Sequence, residues 1–343
     1  MDYEGLPAKG SSMSMRVAAI DCGTNSLRLL IADVDPARHE LTDVVRRMEI
    51  VRLGQGVDAT GRLAPEALDR TMRMLASYAA DIHAAGAVAV RMVATSATRD
   101  ASNAADFTAG VEATLGVLPE VISGREEARL SFAGATAELT AETVVGSGPR
   151  LEPPFLVVDI GGGSTEFVLG KSGTDMQSGG DPAAISVDIG CVRLTERHLH
   201  DDPPTPAEVA AAAADIDRAL DDVATAIPVQ DARTLVGLAG SVTSITAIAL
   251  GLETYDASRT HHARIPAATV DAVTRQLLSQ TRLQRAAIGS LHPGRVDVIA
   301  AGALVLDRVM QRFGFAEEVT SEHDILDGIA WSIADAGLRR WVG

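Results

Sequence analysis

Two stretches of the chain repeat one pattern of apolar and polar positions. In each, an apolar run ends in an aspartate, a glycine-rich turn with hydroxyl side chains follows, and a second apolar run comes next. The stretches are residues 17–31, with Asp21 at the end of the first run, and residues 155–169, with Asp159 in the same place. Each stretch predicts a β-hairpin whose tip presents backbone N–H groups and a carboxylate.

Outside the hairpins, strand-like runs alternate with segments of helical periodicity, which is typical of an α/β fold. Strands are predicted at 44–53, 88–94, 120–122, 185–189, the start of 235–243, and 318–321. Helices are predicted at 65–85, 104–115, 125–139, 206–226, 266–286, 294–313 and from about 325.

The length of the chain and a segment with the composition of a linker predict two domains. A chain of 343 residues is long enough for about two, and residues 140–154 are rich in glycine and proline, as linkers are. We therefore expect an N-terminal domain at 15–139 and a C-terminal domain at 150–324. A last helix at about 325–343 is expected to pack back on the first domain, and residues 1–14 are expected to be a disordered or non-native extension.

Composition narrows the class of protein. A hydrophobic fraction of 46% and a charged fraction of 22% are typical of a soluble globular protein. The net charge of −16 and the aromatic content of 3% argue against a protein that binds nucleic acid or anionic membranes. Cys22 and Cys191 lie in no paired-thiol motif, and no apolar run approaches the roughly 18 residues of a membrane span. We expect a cytoplasmic protein without a structural disulfide.

The two turns predict a binding site for a chain of linked phosphates. Successive backbone N–H groups form an anion-binding nest, and glycine lets the backbone approach closely. Because the net charge is negative, binding must be local, through amides, a few arginines and divalent metal ions. Asp159 and Glu166 flank the second turn, where both could face one cavity and hold Mg²⁺ (or Mn²⁺) on phosphate oxygens. The alternative is a turn-forming aspartate with a glutamate on an edge strand.

Three further segments offer chemistry, each with a structural alternative. Ser123 and Glu126 form a helix-capping box, which leaves Glu127 either to deprotonate a water molecule or to lie idle in a first helical turn. Arg99 follows a strand and a hydroxyl-rich segment, where it either binds phosphate or lies at the surface. Residues 237–243 either cradle an anion at a helix start or pack a strand closely on a helix.

Taken together, these segments resemble the exopolyphosphatase / guanosine pentaphosphate phosphohydrolase (Ppx/GppA) family of the actin, sugar-kinase and chaperone ATPase superfamily. The similar segments run in order along most of the chain and are 20–26, 94–99, 122–128, 159–166, 190–193, 237–241 and 295–306. The resemblance implies an α/β fold of two actin-like (ribonuclease H-like) domains with an interdomain cleft, in the short two-domain form of the family.

The resemblance also implies a function. An exopolyphosphatase removes the terminal phosphate of inorganic polyphosphate by in-line attack of water and releases orthophosphate. Glu127 would be the catalytic base, Arg99 would lie on the phosphate, and Asp159 and Glu166 would hold the metal ion. The implied phosphate-binding residues are Asp21, Gly23, Thr24, Asn25, Ser26, Gly161, Gly162, Gly163, Ser164, Gly240 and Ser241. A homodimer is implied as well.

Other activities stay open on the sequence alone. The cleft could hydrolyse guanosine pentaphosphate (pppGpp) to ppGpp, which would link the protein to the stringent response. The protein could also be a sensor that binds polyphosphate or an alarmone without turnover. A further alternative is that it is an ATP-dependent kinase of the same superfamily. Leu326 stands where the family usually has an arginine, which leaves the preferred chain length open, short chains included.

Overall fold

A computed structural model describes residues 14–137, 139, 151–171 and 182–336. The expectations for residues 1–13, for most of the linker and for the end of the last helix lie outside this range. Within it, no helix is both long enough and apolar enough to cross a membrane.

The first sheet contains the first sequence repeat. Its strands are β1 Met15–Cys22, β2 Ser26–Asp35, β3 Glu40–Ile50, β4 Ala89–Ala94 and β5 Glu120–Val121. Their order is β3-β2-β1-β4-β5, with β2 antiparallel to both neighbours and β4 parallel to both. The hairpin register places Asp21 opposite Arg28.

The second sheet contains the second repeat. Its strands are β6 Phe155–Ile160, β7 Thr165–Gly170, β8 Ala183–Val187, β9 Thr234–Leu238, β10 Arg264–Pro266 and β11 Glu317–Thr320. Their order is β10-β11-β9-β6-β7-β8. From β8 to β11, order and strand directions repeat those of the first sheet. The register places Asp159 opposite Glu166. We call the regions around the first and second sheets the first and second lobes.

Helices connect and cover the strands. They are α1 Val57–Thr60, α2 Pro65–Ala85, α3 Ser96–Arg99, α4 Ala104–Leu115, α5 Gly124–Thr136, α6 Cys191–His198, α7 Pro206–Ala226, α8 Ala239–Ala249, α9 Ala257–Thr260, α10 Ala267–Ser279, α11 Arg282–Ala286, α12 Ile299–Phe313 and α13 Ile325–Ala336. The bounds of α2 and α4 match the sequence prediction because strong signals fix them. Pro65 starts α2, and Gly86 and Gly116 end the two helices in left-handed conformation.

Several sequence predictions about helix ends were wrong in detail. The helix predicted at 294–313 begins only at Ile299. The helix predicted at 266–286 is two helices, because Thr281 and Gln284 form a capping box that starts α11. At α5, the Ser123 hydroxyl caps the helix by accepting the Glu126 N–H at 3.2 Å. The Glu126 side chain, however, lies 3.9 Å from Arg91 rather than completing the predicted box.

Helices α5 and α13 cross between the lobes. The α5 helix follows the first sheet in the chain, yet Phe132 packs in the apolar core against β6 and β7 of the second sheet. The α13 helix follows the second sheet, yet Ile329 and Ile333 pack on β1, β2 and β4 of the first. The two helices contact each other closely at Gly134 and Gly328. This crossing places the N-terminus of α5, and therefore Glu127, at the junction of the lobes.

Candidate active site

The turns of the two hairpins have the same internal geometry. Gly23 N–H donates to the Ser26 carbonyl at 3.0 Å, and Gly161 N–H donates to the Ser164 carbonyl at 3.0 Å. Each turn follows the carboxyl end of a central strand, the edge of an α/β sheet at which ligands gather. Each lobe therefore offers an equivalent backbone turn.

The two turns contact each other. A Cβ atom on Gly162 would lie 2.9 Å from Thr24 Cβ and 3.2 Å from Asn25 N. A Cβ atom on Gly163 would lie 2.7 Å from Thr24 Oγ1. A side chain at either glycine would push the turns apart, so glycine permits the close approach of the lobes.

A narrow cleft of about 60 Å³ opens beside the turns. It is lined by these predicted site residues: Asp21, Gly23, Thr24, Asn25, Ser26, Glu127, Asp159, Gly161, Gly162, Ser164, Gly240 and Ser241. The structure places the other three, Gly163, Arg99 and Glu166, outside this lining. The cleft therefore brings together most of the residues that the sequence singled out, from both lobes.

The start of α8 forms another wall of the cleft. Gly240 and Ser241 lie in its first turn, where backbone N–H groups lack partners within the helix. A Cβ atom on Gly240 would lie 1.8 Å from Arg295 Nη2, so the guanidinium rests against the glycine backbone. An N-terminal helix turn and an arginine thus converge on one wall.

Glu127 lies in the first turn of α5 and is only 8% exposed. Arg99 donates to Glu127 Oε2 at 3.3 Å and to the Ile122 carbonyl at 3.1 Å. Burial raises the pKa of Glu127 well above its usual value, and the nearby charges of Glu166 and Asp21 raise it further, while Arg99 opposes the shift. A buried carboxylate with a raised pKa at the edge of a polar cleft is suited to accept a proton from water.

Arg99 occupies a position different from the expected one. Its guanidinium lies on the Glu127 carboxylate and a backbone carbonyl rather than among the residues that line the cleft. In this arrangement it fixes the orientation of Glu127.

Asp159 and Glu166 face each other across the second hairpin. Ser131 donates to Asp159 Oδ2 at 2.7 Å, and Ser186 donates to Glu166 Oε1 at 2.7 Å. Burial raises the pKa of Asp159 to about 6. Burial and the nearby charge of Asp159 together raise the pKa of Glu166 to about 8. Two buried carboxylates so close together are hard to ionise at once unless a cation lies beside them.

The residues fit a divalent metal ion held partly by substrate. The described residues contain no group of three or more His, Cys, Asp or Glu side chains arranged as a metal cage. Asp21 Oδ1 is nevertheless buried without a hydrogen-bond partner in the described part of the chain. Mg²⁺ commonly takes one or two carboxylates and completes its shell with water and phosphate oxygens. Asp159, with Glu166 and Asp21 near it, suits that mode of binding.

Two arginines in the cleft were missed by the sequence analysis. Arg28 contacts Asp21 at 2.6 Å and also pairs with Asp324, which precedes α13. A signal for it existed, because it interrupts the apolar run of the first hairpin directly after the turn. Arg295 lines the cleft, and burial lowers its pKa. It begins a segment that resembles the family, yet nothing in the sequence around it indicates that its side chain reaches the cleft.

Comparisons with known proteins agree with this site. Residues 30–335 match the model of the Ppx/GppA phosphatase family. The chain is 51% identical over 330 residues to a Mycobacterium tuberculosis protein named exopolyphosphatase 2, covering 93% of this chain and 98% of that one.

Solved structures give the same result. One described as an exopolyphosphatase-like protein has a TM-score of 0.85 at 43% identity, covering 93% of this chain and 97% of the other. The Aquifex aeolicus member of the Ppx/GppA family has a TM-score of 0.75 at 28% identity, covering 95% and 99%. These matches confirm the fold class and the family expected from the sequence.

Proposed function

Because the chain belongs to the Ppx/GppA phosphatase family, we propose that it hydrolyses the terminal phosphoanhydride bond of inorganic polyphosphate and releases orthophosphate. One observation carries the proposal: Glu127 borders a narrow cleft where equivalent glycine turns from the two lobes meet. The name of the Mycobacterium tuberculosis relative, exopolyphosphatase 2, supports this choice of substrate.

The mechanism follows from where the groups lie. Backbone N–H groups of the two turns and of the α8 start bind phosphate oxygens, and Arg295 and the amide of Asn25 add donors to the same cleft. Bound Mg²⁺ would neutralise negative charge on those oxygens. Glu127 takes the proton of the attacking water, and Arg99 holds the carboxylate in place. The bond from the terminal phosphorus to the bridging oxygen breaks, and the shortened chain leaves as the other product.

The direct test replaces the proposed base. In Glu127→Gln the side chain keeps its size but cannot accept the proton, so phosphate release from polyphosphate should fall by about 100-fold or more. Glu126→Gln is the matched control, because Glu126 is the more exposed neighbour in the same helical turn. Equal rates for wild type and Glu127→Gln would end the assignment.

A second candidate activity, hydrolysis of pppGpp to ppGpp, is favoured by a larger cavity next to the cleft. This cavity of about 430 Å³ shares Arg28, Ala239, Gly240 and Arg295 with the cleft. Its other lining combines apolar and aromatic side chains with arginines: Met48, Tyr255, Leu291, Leu326, Arg46 and Arg47. Such a space is large enough for a nucleoside. Leu326, which stands at the position of the usual family arginine, forms part of the apolar wall of this cavity. Parallel kcat/KM measurements on polyphosphate and pppGpp decide between the substrates.

Four accompanying features belong to the same proposal. We expect a cytoplasmic homodimer that requires Mg²⁺ or Mn²⁺ and, if pppGpp is a substrate, acts in the stringent response. Light scattering at micromolar concentration tests the dimer, and activity after chelation and metal return tests the metal requirement. Tight binding of polyphosphate with no phosphate release in Mg²⁺ would instead favour a sensor.

A further inference from the structure

The start of α6 packs against the second hairpin turn, residues 161–164. Cys191 N–H donates to the Gly161 carbonyl at 3.0 Å, and Val192 N–H donates to the Gly162 carbonyl at 2.8 Å. These donors lie in the first turn of α6, where backbone N–H groups have no partner within a helix. The hairpin turn thus satisfies the helix start, and the positive end of the helix dipole lies directly behind the turn.

Arg193 holds the same turn with its backbone and its side chain. Its N–H donates to the Gly162 carbonyl at 3.1 Å, and its Nε donates to the Gly163 carbonyl at 2.7 Å. Its Nη1 and Nη2 atoms donate to Asp58 and Asp100 of the first lobe at 2.6 and 2.5 Å. The side chain is only 11% exposed, so contacts from both lobes fix the guanidinium against the turn.

These contacts set the direction of the N–H groups of the turn. In a trans peptide unit, the carbonyl of one residue and the N–H of the next point in opposite directions. The peptide units of this turn are trans. Because the carbonyls of residues 161–163 accept from α6 and Arg193, the N–H groups of residues 162–164 point away from that helix. Gly162 and Ser164 line the cleft, so these N–H groups lie on its side of the turn.

The first turn is held in another way. Gly54 N–H donates to the Thr24 carbonyl at 2.8 Å, and Arg52 N–H donates to the Asn25 carbonyl at 2.8 Å. Both donors belong to the loop between β3 and α1 rather than to the start of a helix. In the contacts that the structure describes, a helix start and a buried guanidinium lie behind the second turn. The two turns are alike in shape but differ in what supports them.

We propose that Arg193, together with the start of α6, is a positioning residue for the terminal phosphate. It holds the peptide units of the second turn so that their N–H groups face the phosphate. It also strengthens them as donors, because a hydrogen bond to the carbonyl polarises the N–H of the same peptide unit. Arg193 is not among the residues that line the cleft, so it acts through the turn. The inference rests on the proposed function and adds a residue to it.

The test separates this role from the ion pairs that Arg193 makes across the lobes. Calorimetry measures binding of tripolyphosphate with Mg²⁺ in a Glu127→Gln background, in which the ligand is not cleaved. Adding Asp58→Asn and Asp100→Asn removes the charges that pair with Arg193 from the first lobe and leaves its bond to Gly163. In that protein, Arg193→Met should still raise the Kd for tripolyphosphate by about fivefold or more, because methionine has no donor for the turn.

Arg197→Met is the matched control. Arg197 lies on the same helix and also pairs with Asp58, but its described contacts are with carboxylates and not with the turn. In the same background it should change the Kd by less than about twofold. In the enzyme with Glu127 intact, Arg193→Met should raise KM for tripolyphosphate and leave kcat within about threefold of wild type, because Arg99 still holds the base.

A second variant keeps the test open if Arg193→Met does not fold. Arg193→Lys retains the positive charge beside Asp58 and Asp100 but places a carbon atom where Nε lies. It should therefore raise the Kd for tripolyphosphate in the Glu127→Gln background, even though the lobes stay joined. Denaturant midpoints show whether each variant is folded at the temperature of the binding measurement.

The outcomes distinguish this inference from the proposed function. A wild type that neither binds tripolyphosphate nor releases phosphate defeats the proposed function. Normal hydrolysis by the wild type, with no further rise in Kd from Arg193→Met once both aspartates are replaced, defeats the inference alone, because Arg193 would then only join the lobes. Equal rises in Kd for Arg193→Met and Arg197→Met also contradict it, because a general disturbance of α6 would be the cause.

Discussion

Glu318 is a buried carboxylate that takes no part in the proposed chemistry. It lies on β11 with no exposed surface, and its Oε1 accepts from Thr320 at 2.8 Å and from Thr246 at 3.2 Å. Its Oε2 has no hydrogen-bond partner among the described residues. Burial raises the pKa of Glu318 to about 8, so the side chain is protonated in the folded protein near neutral pH.

Stability should therefore depend on pH through Glu318. Between about pH 4.5 and pH 8 the folded state holds a proton that the unfolded state has lost, so the contribution to stability declines as pH rises through this range. The decline can reach about 1.4 kcal/mol per pH unit. Glu318→Gln should remove this component. Urea unfolding of both proteins from pH 5 to pH 8.5 measures it, and stability curves that stay parallel would contradict the assignment.

At the residue scale, the sequence could predict roles but not all partners. Local pattern left the role of Glu127 open, and the resemblance to the family singled it out as the base. Arg99 was expected on the phosphate, yet it lies on Glu127. That contact depends on how α3 and α5 meet, which no local pattern encodes. Arg295 was missed for the same reason, since only packing brings it against Gly240.

Helices α5 and α13 pack by backbone contact. A Cβ atom on Gly134 would lie 1.9 Å from the Asp324 carbonyl oxygen, and one on Gly328 would lie 2.0 Å from that of Leu130. Backbone cannot move aside as a side chain can. This contact holds the base-bearing helix against the helix that closes the first lobe.

Gly134→Ala should therefore be strongly destabilising, by about 3 kcal/mol, despite the better helix propensity of alanine. Gly110→Ala in α4 is the matched control. There the added Cβ meets only the flexible end of Met72, at 2.9 Å, so stability should stay within about 1 kcal/mol of wild type. Denaturant midpoints measure both, and equal stability of the two variants would refute the close helix contact.

The identity of the helices and strands and several of their ends could be predicted from local signals. Pro65, Gly86 and the Thr205–Glu208 capping box are such signals, and the structure confirms all three. The crossing of α5 and α13 could not be predicted in this way. Each helix packs on the sheet of the other lobe, and that choice depends on long-range fit at Gly134 and Gly328 rather than on helical periodicity.

At the scale of the whole molecule, ion pairs hold the lobes together beside the turns. Arg193 donates to Asp58 at 2.6 Å and to Asp100 at 2.5 Å, and its Nε bonds the Gly163 carbonyl at 2.7 Å. Arg197 also pairs with Asp58, at 2.6 Å, and together the two arginines hold the pKa of Asp58 below its usual value. Asp58 is thus the centre of a network that spans both lobes.

Asp58→Asn should weaken the closed arrangement by about 1–3 kcal/mol, because charge-assisted hydrogen bonds to two arginines are lost. We expect a larger radius of gyration in X-ray scattering and a kcat/KM for polyphosphate lowered by up to about tenfold. Asp271→Asn is the control, since Asp271 pairs with Arg275 within the exposed face of one helix. An unchanged radius and rate in Asp58→Asn would show that closure does not depend on this network.

The central claim is that equivalent turns of the two lobes hold the terminal phosphate beside Glu127. A crystal structure of Glu127→Gln with Mg²⁺ and tripolyphosphate tests it most directly. The account predicts a terminal phosphate bound between the turns at 23–26 and 161–164, with one water molecule between its phosphorus and the substituted side chain. A phosphate chain bound outside this cleft, or a terminal phosphate far from position 127, would contradict it.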